Sequence, residues 1–169
     1  VAVDSKPAIA DIDGDGVPEI VVGAGAGGIV GGGVYVLHNN GTLKCAFTAL
    51  DPTYNGGWGI VSSPALARLD RTRPNEMQIV FGGLDMHIRA VRPDCTLYWD
   101  KKTSDGVNDT VLSSPAIYDL DGDGQLDVII GQDSDLVSGQ WIDGGMVRAF
   151  RGNGIGELPG FPIKLNEVV

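Results

Sequence analysis

Asp11-Ile12-Asp13-Gly14-Asp15-Gly16-Val17-Pro18-Glu19 runs directly into the apolar stretch Ile20-Val21-Val22-Gly23. A second segment has the same form: Asp119-Leu120-Asp121-Gly122-Asp123-Gly124-Gln125-Leu126-Asp127, followed by Val128-Ile129-Ile130-Gly131. Each places four carboxylates at alternating positions. Each ends in a β-branched run that reads as a strand. The internal glycines tolerate positive φ, so the chain can curl until the acids face one point.

That arrangement suits calcium, a hard cation that takes six to eight oxygens. The expected ligands of the first loop are the side chains of Asp11, Asp13, Asp15 and Glu19 and the backbone carbonyl of Val17. The second loop would use Asp119, Asp121, Asp123 and Asp127 with the carbonyl of Gln125. Magnesium fits less well, because it keeps several waters and demands a stricter octahedron. An EF-hand would need a bidentate Glu at position 12 and flanking helices. Position 12 is Val22 in one loop and Ile130 in the other, and the flanks read as strand. A single such loop could be read as a solvated acidic turn. A second with the same spacing and the same following strand argues for about two calcium ions.

The loops belong to a longer repeat. Lys6-Pro7-Ala8-Ile9-Ala10-Asp11, Ser63-Pro64-Ala65-Leu66-Ala67-Arg68 and Ser114-Pro115-Ala116-Ile117-Tyr118-Asp119 align. After each comes an acidic or degenerate loop, then an apolar strand: Ile20-Val21-Val22, Ile79-Val80-Phe81 or Val128-Ile129-Ile130. A third strand follows near Val34–Leu37, His87–Val91 and Met146–Phe150. Turns at Asn39-Asn40-Gly41, Arg92-Pro93-Asp94-Cys95 and Arg151-Gly152-Asn153-Gly154 lead to a fourth. That fourth strand is plain in Thr42–Phe47 and Thr96–Trp99 and weaker near Phe161–Leu165. No segment keeps a helical period. Four short antiparallel strands recurring about every 50 residues make a β-propeller blade. The expectation is an all-β chain, residues 1–169 as one propeller region, with blades at approximately 1–57, 58–109 and 110–169.

In the middle repeat Arg68 and Thr72 replace two of the acids, and the glycines are gone. The loop reads as one residue longer and is expected to hold no calcium. Its arginines either pair with Asp70 and Glu76, in place of the ion, or leave a solvated, irregular turn.

The 169 residues are 43% hydrophobic, enough for one compact core. A net charge of −10 argues against nucleic acid, whose phosphates need a basic surface. No apolar run approaches the length of a membrane span. Cys45 and Cys95 leave two readings open, one disulfide or two buried thiols. The sequons at Asn40 and Asn108 are candidate N-glycan sites, although Asn39-Asn40-Gly41 is equally a hairpin turn. With calcium loops beside them, the sequons point to an extracellular or cell-surface protein.

The acidic loops, each followed by an apolar strand ending in glycine, resemble the FG-GAP/VCBS repeat of integrin α-subunit propellers and many secreted proteins. The resemblance covers the chain as three repeats, and the tail Glu157–Pro162 is similar to the segment closing such blades. It implies a propeller with calcium at the blade edge. It also implies adhesion, ligand binding or scaffolding rather than one fixed chemistry. The chain reads as cut in phase with its repeat. It is therefore expected to be part of a larger propeller, or a unit completed by other copies, even a fibre, through open blade edges.

No catalytic residue is expected. His38 borders a turn, His87 sits in a strand, and the serines at 62–63 and 113–114 follow the repeat. Trp58, Trp99, Trp141 and Tyr54 form either a sugar-binding surface or packing between blades. The ligand, protein or carbohydrate, is not legible. The alternative to a binding module is the propeller portion of a secreted polysaccharide-active or quinone-dependent enzyme.

Overall fold

Strands β1 (Ala8–Ala10), β2 (Glu19–Ala24), β3 (Gly33–Leu37) and β4 (Leu43–Phe47) pair in sequence order into an antiparallel sheet. The same order builds a second sheet from β5 (Ala65–Ala67), β6 (Gln78–Gly82), β7 (His87–Val91) and β8 (Leu97–Lys102). After β9 (Ala116–Tyr118) and β10 (Asp127–Asp133), a short hairpin, β11 (Leu136–Val137) and β12 (Gln140–Trp141), precedes β13 (Gly145–Arg151) and β14 (Ile163–Leu165). Strands β9, β10, β13 and β14 form the third sheet. This computed structural model describes residues 3, 5–25, 32–48, 59–103, 111, 113–133, 136–137, 140–141 and 145–165, with no helix among them. Tyr54, Trp58 and the Asn108 sequon lie outside the described residues, and of Trp141 only the backbone is described.

The three sheets are β-propeller blades, set side by side with β5 lying between β1 and β9. The period-2 pattern of each strand decides which blade it meets. Ile79 and Phe81 of β6 join a core with Val21, Val36 and Phe47 of the first blade. Val80 of the same strand joins Val128, Ile130 and Phe150 of the third. All five residues of β6 are buried, because this blade has a neighbour on both faces. That agrees with Ile79-Val80-Phe81 reading as a continuous apolar run rather than an alternating one.

The repeat also dictates how blades lock. Ser5, Ser62 and Ser113 each accept the N–H of the glycine in their blade's second strand, at 2.7, 2.9 and 2.8 Å. Each hydroxyl also donates to that glycine's carbonyl. The glycine is required at Gly23, where an added Cβ would stand 2.7 Å from Cγ2 of Ile60 in the next blade. Val111 fills the same place over Gly82. Between blades, the N–H of Lys6 donates to Ser63 Oγ at 2.9 Å, and that of Ser63 to Ser114 Oγ at 3.0 Å. These serines are architectural.

Candidate metal centres

The loop between β1 and β2 is wound by its first acid. Asp11 accepts the N–H groups of Gly14 (2.8 Å), Asp15 (3.1 Å) and Gly16 (2.9 Å). Gly14 and Gly16 have φ of 81° and 87°, a conformation that side chains with a Cβ rarely adopt. Asp15 accepts the N–H of Val17 at 2.7 Å. The loop between β9 and β10 repeats the pattern. Asp119 accepts from Gly122 and Gly124 at 2.9 Å, and Asp123 from Gln125 at 2.7 Å.

The ninth position closes each loop from beneath. Glu19 accepts the N–H of Ile12 at 3.2 Å, and Asp127 that of Leu120 at 2.9 Å. Both carboxylates are 1% exposed. Val17 and Gln125 stand at the expected loop position. Carboxylate oxygens of Asp11, Asp13 and Asp15 lie within 4.8 Å of one another, as do those of Asp119, Asp121 and Asp127. Two oxygens bound to one calcium at about 2.5 Å are at most about 5 Å apart. Three acids of each loop are therefore close enough to share one ion, while the expected ligands Glu19 and Asp123 fall outside these two groups.

The surroundings of the two closing acids differ. Lys44 of β4 places its ammonium 2.5 Å from Asp13 and 2.8 Å from Glu19. Its hydrogen bond to Asp13 holds that carboxyl below the ordinary range. Burial alone would depress the Lys44 pKa, but the bonds to the two acids outweigh it and raise it. Asp127 has no such direct ion pair among the described residues, although it is as buried as Glu19. In that loop Arg151 reaches the more exposed acids instead, 3.2 Å from Asp121 and 3.1 Å from Asp123.

The middle loop differs from its sequence reading in two respects. It spans residues 68–77 between the paired Ala67 and Gln78, against 11–18 and 119–126, so it is two residues longer rather than one. Gln78, not Glu76, therefore holds the ninth position. Its Oε1 accepts the N–H groups of Leu69 (2.7 Å) and Asp70 (2.9 Å). A neutral amide does there what a carboxylate does in the other loops. The arginines also divide differently from the expectation. Arg73 does pair with Glu76, at 3.2 Å. Asp70 instead takes the Thr72 hydroxyl (2.6 Å) and Arg92 (3.5 Å), and the Thr72 bond chiefly lowers its pKa. Arg71 donates to the Gly124 carbonyl of the third blade's loop. The signal for Gln78 lay in aligning Gln78-Ile79-Val80 with Glu19-Ile20-Val21, back from the strand rather than forward from the loop.

Other expectations resolve plainly. Cys45 and Cys95 form a disulfide joining the first blade to the second. Trp99 is 7% exposed and serves packing between blades, not a sugar-binding surface. His38 lies exposed at its turn, and His87 Nδ1 is 2.6 Å from Asp100. Asn40 lies in an exposed turn where its side chain accepts the N–H of Thr42, as Asp94 and Asn153 accept from Thr96 and Ile155. A buried group missed in the sequence is the pair Arg89–Asp85, both 1% exposed, with hydrogen bonds of 2.6 and 3.0 Å.

Comparison with known proteins agrees with this geometry. Residues 5–37 match the FG-GAP repeat family, a span that holds the whole first acidic loop; the chain carries an FG-GAP repeat there. No curated protein matches the chain. Among solved structures, it is similar to a europium-containing methanol dehydrogenase at 16% identity, with a TM-score of 0.51. The match covers 92% of this chain and 25% of that one. At that identity the likeness speaks for the fold alone.

Proposed function

We propose that the chain is a calcium-stabilised, extracellular β-propeller module that binds or scaffolds and is not itself catalytic. The observation that carries the calcium reading is Asp127. Burying a carboxylate without a directly paired counter-charge is costly, and this one closes a loop in which Asp119 and Asp121 bring carboxylate oxygens within 4.8 Å of its own. A divalent ion there would supply the missing charge. In the first loop the Lys44 ammonium stands where a cation belongs, which is the same demand met by the protein. The proposed ligands are Asp11, Asp13, Asp15, Glu19 and the Val17 carbonyl in one loop. In the other they are Asp119, Asp121, Asp123, Asp127 and the Gln125 carbonyl.

The role assigned to the ions is structural. They would tie the first strand to the second in the first and third blades, at a turn that in the middle blade lacks two of the acids and both glycines. The disulfide and the FG-GAP repeat support an extracellular setting, where calcium is abundant and oxidation persists. Asn40 and Asn108 remain the proposed glycan sites. Leu120, 46% exposed, holds the place of the buried Ile12 and Leu69, so the third blade offers a face suited to a further blade of the same kind. Calorimetric titration with calcium chloride tests the proposal, which expects two sites per chain. Absence of heat at millimolar calcium, in a folded chain, would refute the metal assignment.

A further inference from the structure

We propose that Lys44 and Arg151 are built-in counter-cations that compete with calcium for their loops, so that the third blade's loop fills before the first. This rests on the calcium reading above.

All three blades aim a basic side chain from their outer hairpin at the acid in the loop's third position. The pairs are Lys44 with Asp13, Arg92 with Asp70 and Arg151 with Asp121. Arg92 and Arg151 stand at the same place, at the end of the third strand. In the first blade that place holds His38, and Lys44 of β4 takes over the task. In the middle loop the basic residue works beside Thr72, which bonds Asp70, and beside the neutral Gln78, which accepts the N–H of Leu69. The middle loop thus shows which protein contacts, Arg92, Thr72 and Gln78, can occupy acids and amides that the outer loops arrange around a shared point.

The outer two loops keep both options, to different degrees. Lys44 is mostly buried and bonds two expected ligands, one of them the fully enclosed Glu19. Calcium must break both bonds and then face a neighbouring positive charge. Arg151 is a third exposed and forms its ion pairs with the accessible Asp121 and Asp123, not with the buried Asp127 opposite it in the ladder. It can swing into water while the ion takes that acid.

The test is calcium titration by calorimetry on the full chain, with each loop isolated by Asp119→Asn or Asp11→Asn. With only the first loop active, Lys44→Met should tighten calcium binding about tenfold, while Lys44→Arg should stay near the parent. With only the third loop active, Arg151→Met should tighten binding about threefold. The third loop should be the tighter of the two before either change. Circular dichroism without calcium establishes that each variant is folded. If Lys44→Met fails to fold without the ion, Arg151→Met, at a more exposed position, still decides. Unchanged or weaker affinity in folded Lys44→Met and Arg151→Met, with the parent binding two ions, overturns this inference and leaves the calcium reading intact. No binding by parent or variants overturns both.

Discussion

Cys45 and Trp99 hold the same place in successive blades. Cys45 lies opposite Val36 in the first blade, and Trp99 opposite the equivalent Ala90 in the second. Both reach across to the hairpin of the following blade. Cys45 is bonded to Cys95, and the Trp99 indole donates to the Gly152 carbonyl at 2.9 Å while its ring covers Gly154. Cys95 and Gly154 are equivalent turn residues, with φ of 63° and 76°. One joint is covalent and the other is packed, at one and the same position.

The covalent joint should be worth several kcal/mol. It closes a separation of 50 residues, for which restricting the unfolded chain stabilises by about 3–4 kcal/mol. Cys45→Ser with Cys95→Ser, or reduction with dithiothreitol, should lower the urea midpoint accordingly. An unchanged midpoint would mean that packing alone holds the first two blades.

The packed joint should respond to much smaller changes. Trp99→Phe removes the hydrogen bond to Gly152 and is expected to cost about 1 kcal/mol. Gly154→Val should cost more, since its Cβ would stand 2.6 Å from Trp99 Cγ at a φ that disfavours a branched residue. Denaturant unfolding of both variants measures the order.

Asp70 should leave a mark on acid stability. Its folded pKa lies below the ordinary 3.8, chiefly through the Thr72 hydroxyl. The stability it contributes is therefore complete above pH 3.8 and is lost as pH falls through the lower, folded value. Asp70→Asn should cost about 2 kcal/mol at pH 7, and the gap to the parent should narrow below about pH 4. A gap independent of pH would assign the loss to packing.

Blade architecture was legible because its signals are local and recur. Proline and alanine open each inner strand, acids and glycines mark the loop, and a β-branched run follows. The weak fourth strand near Phe161–Leu165 also forms, as β14 paired with β13. What the sequence concealed depends on contacts between distant positions. Nothing near Lys44 announces that its ammonium enters a loop 25 to 31 residues earlier. Gln78 was hidden by the longer middle loop, which displaces any count made from Asp70. Arg89 reads as a solvent-facing strand residue until the neighbouring blade encloses it together with Asp85.

The central claim is that calcium acts as a structural staple at two blade turns, and thermal unfolding tests it most directly. With sites of about 10⁻⁴ M affinity and calcium about a hundredfold higher, each ion should add about 2.7 kcal/mol. For a chain of this size the two together should raise Tm by about 10 °C or more over the same protein in chelator. Asp11→Asn combined with Asp119→Asn should abolish the rise. Equal Tm with calcium and with chelator in the unmutated chain would contradict the account.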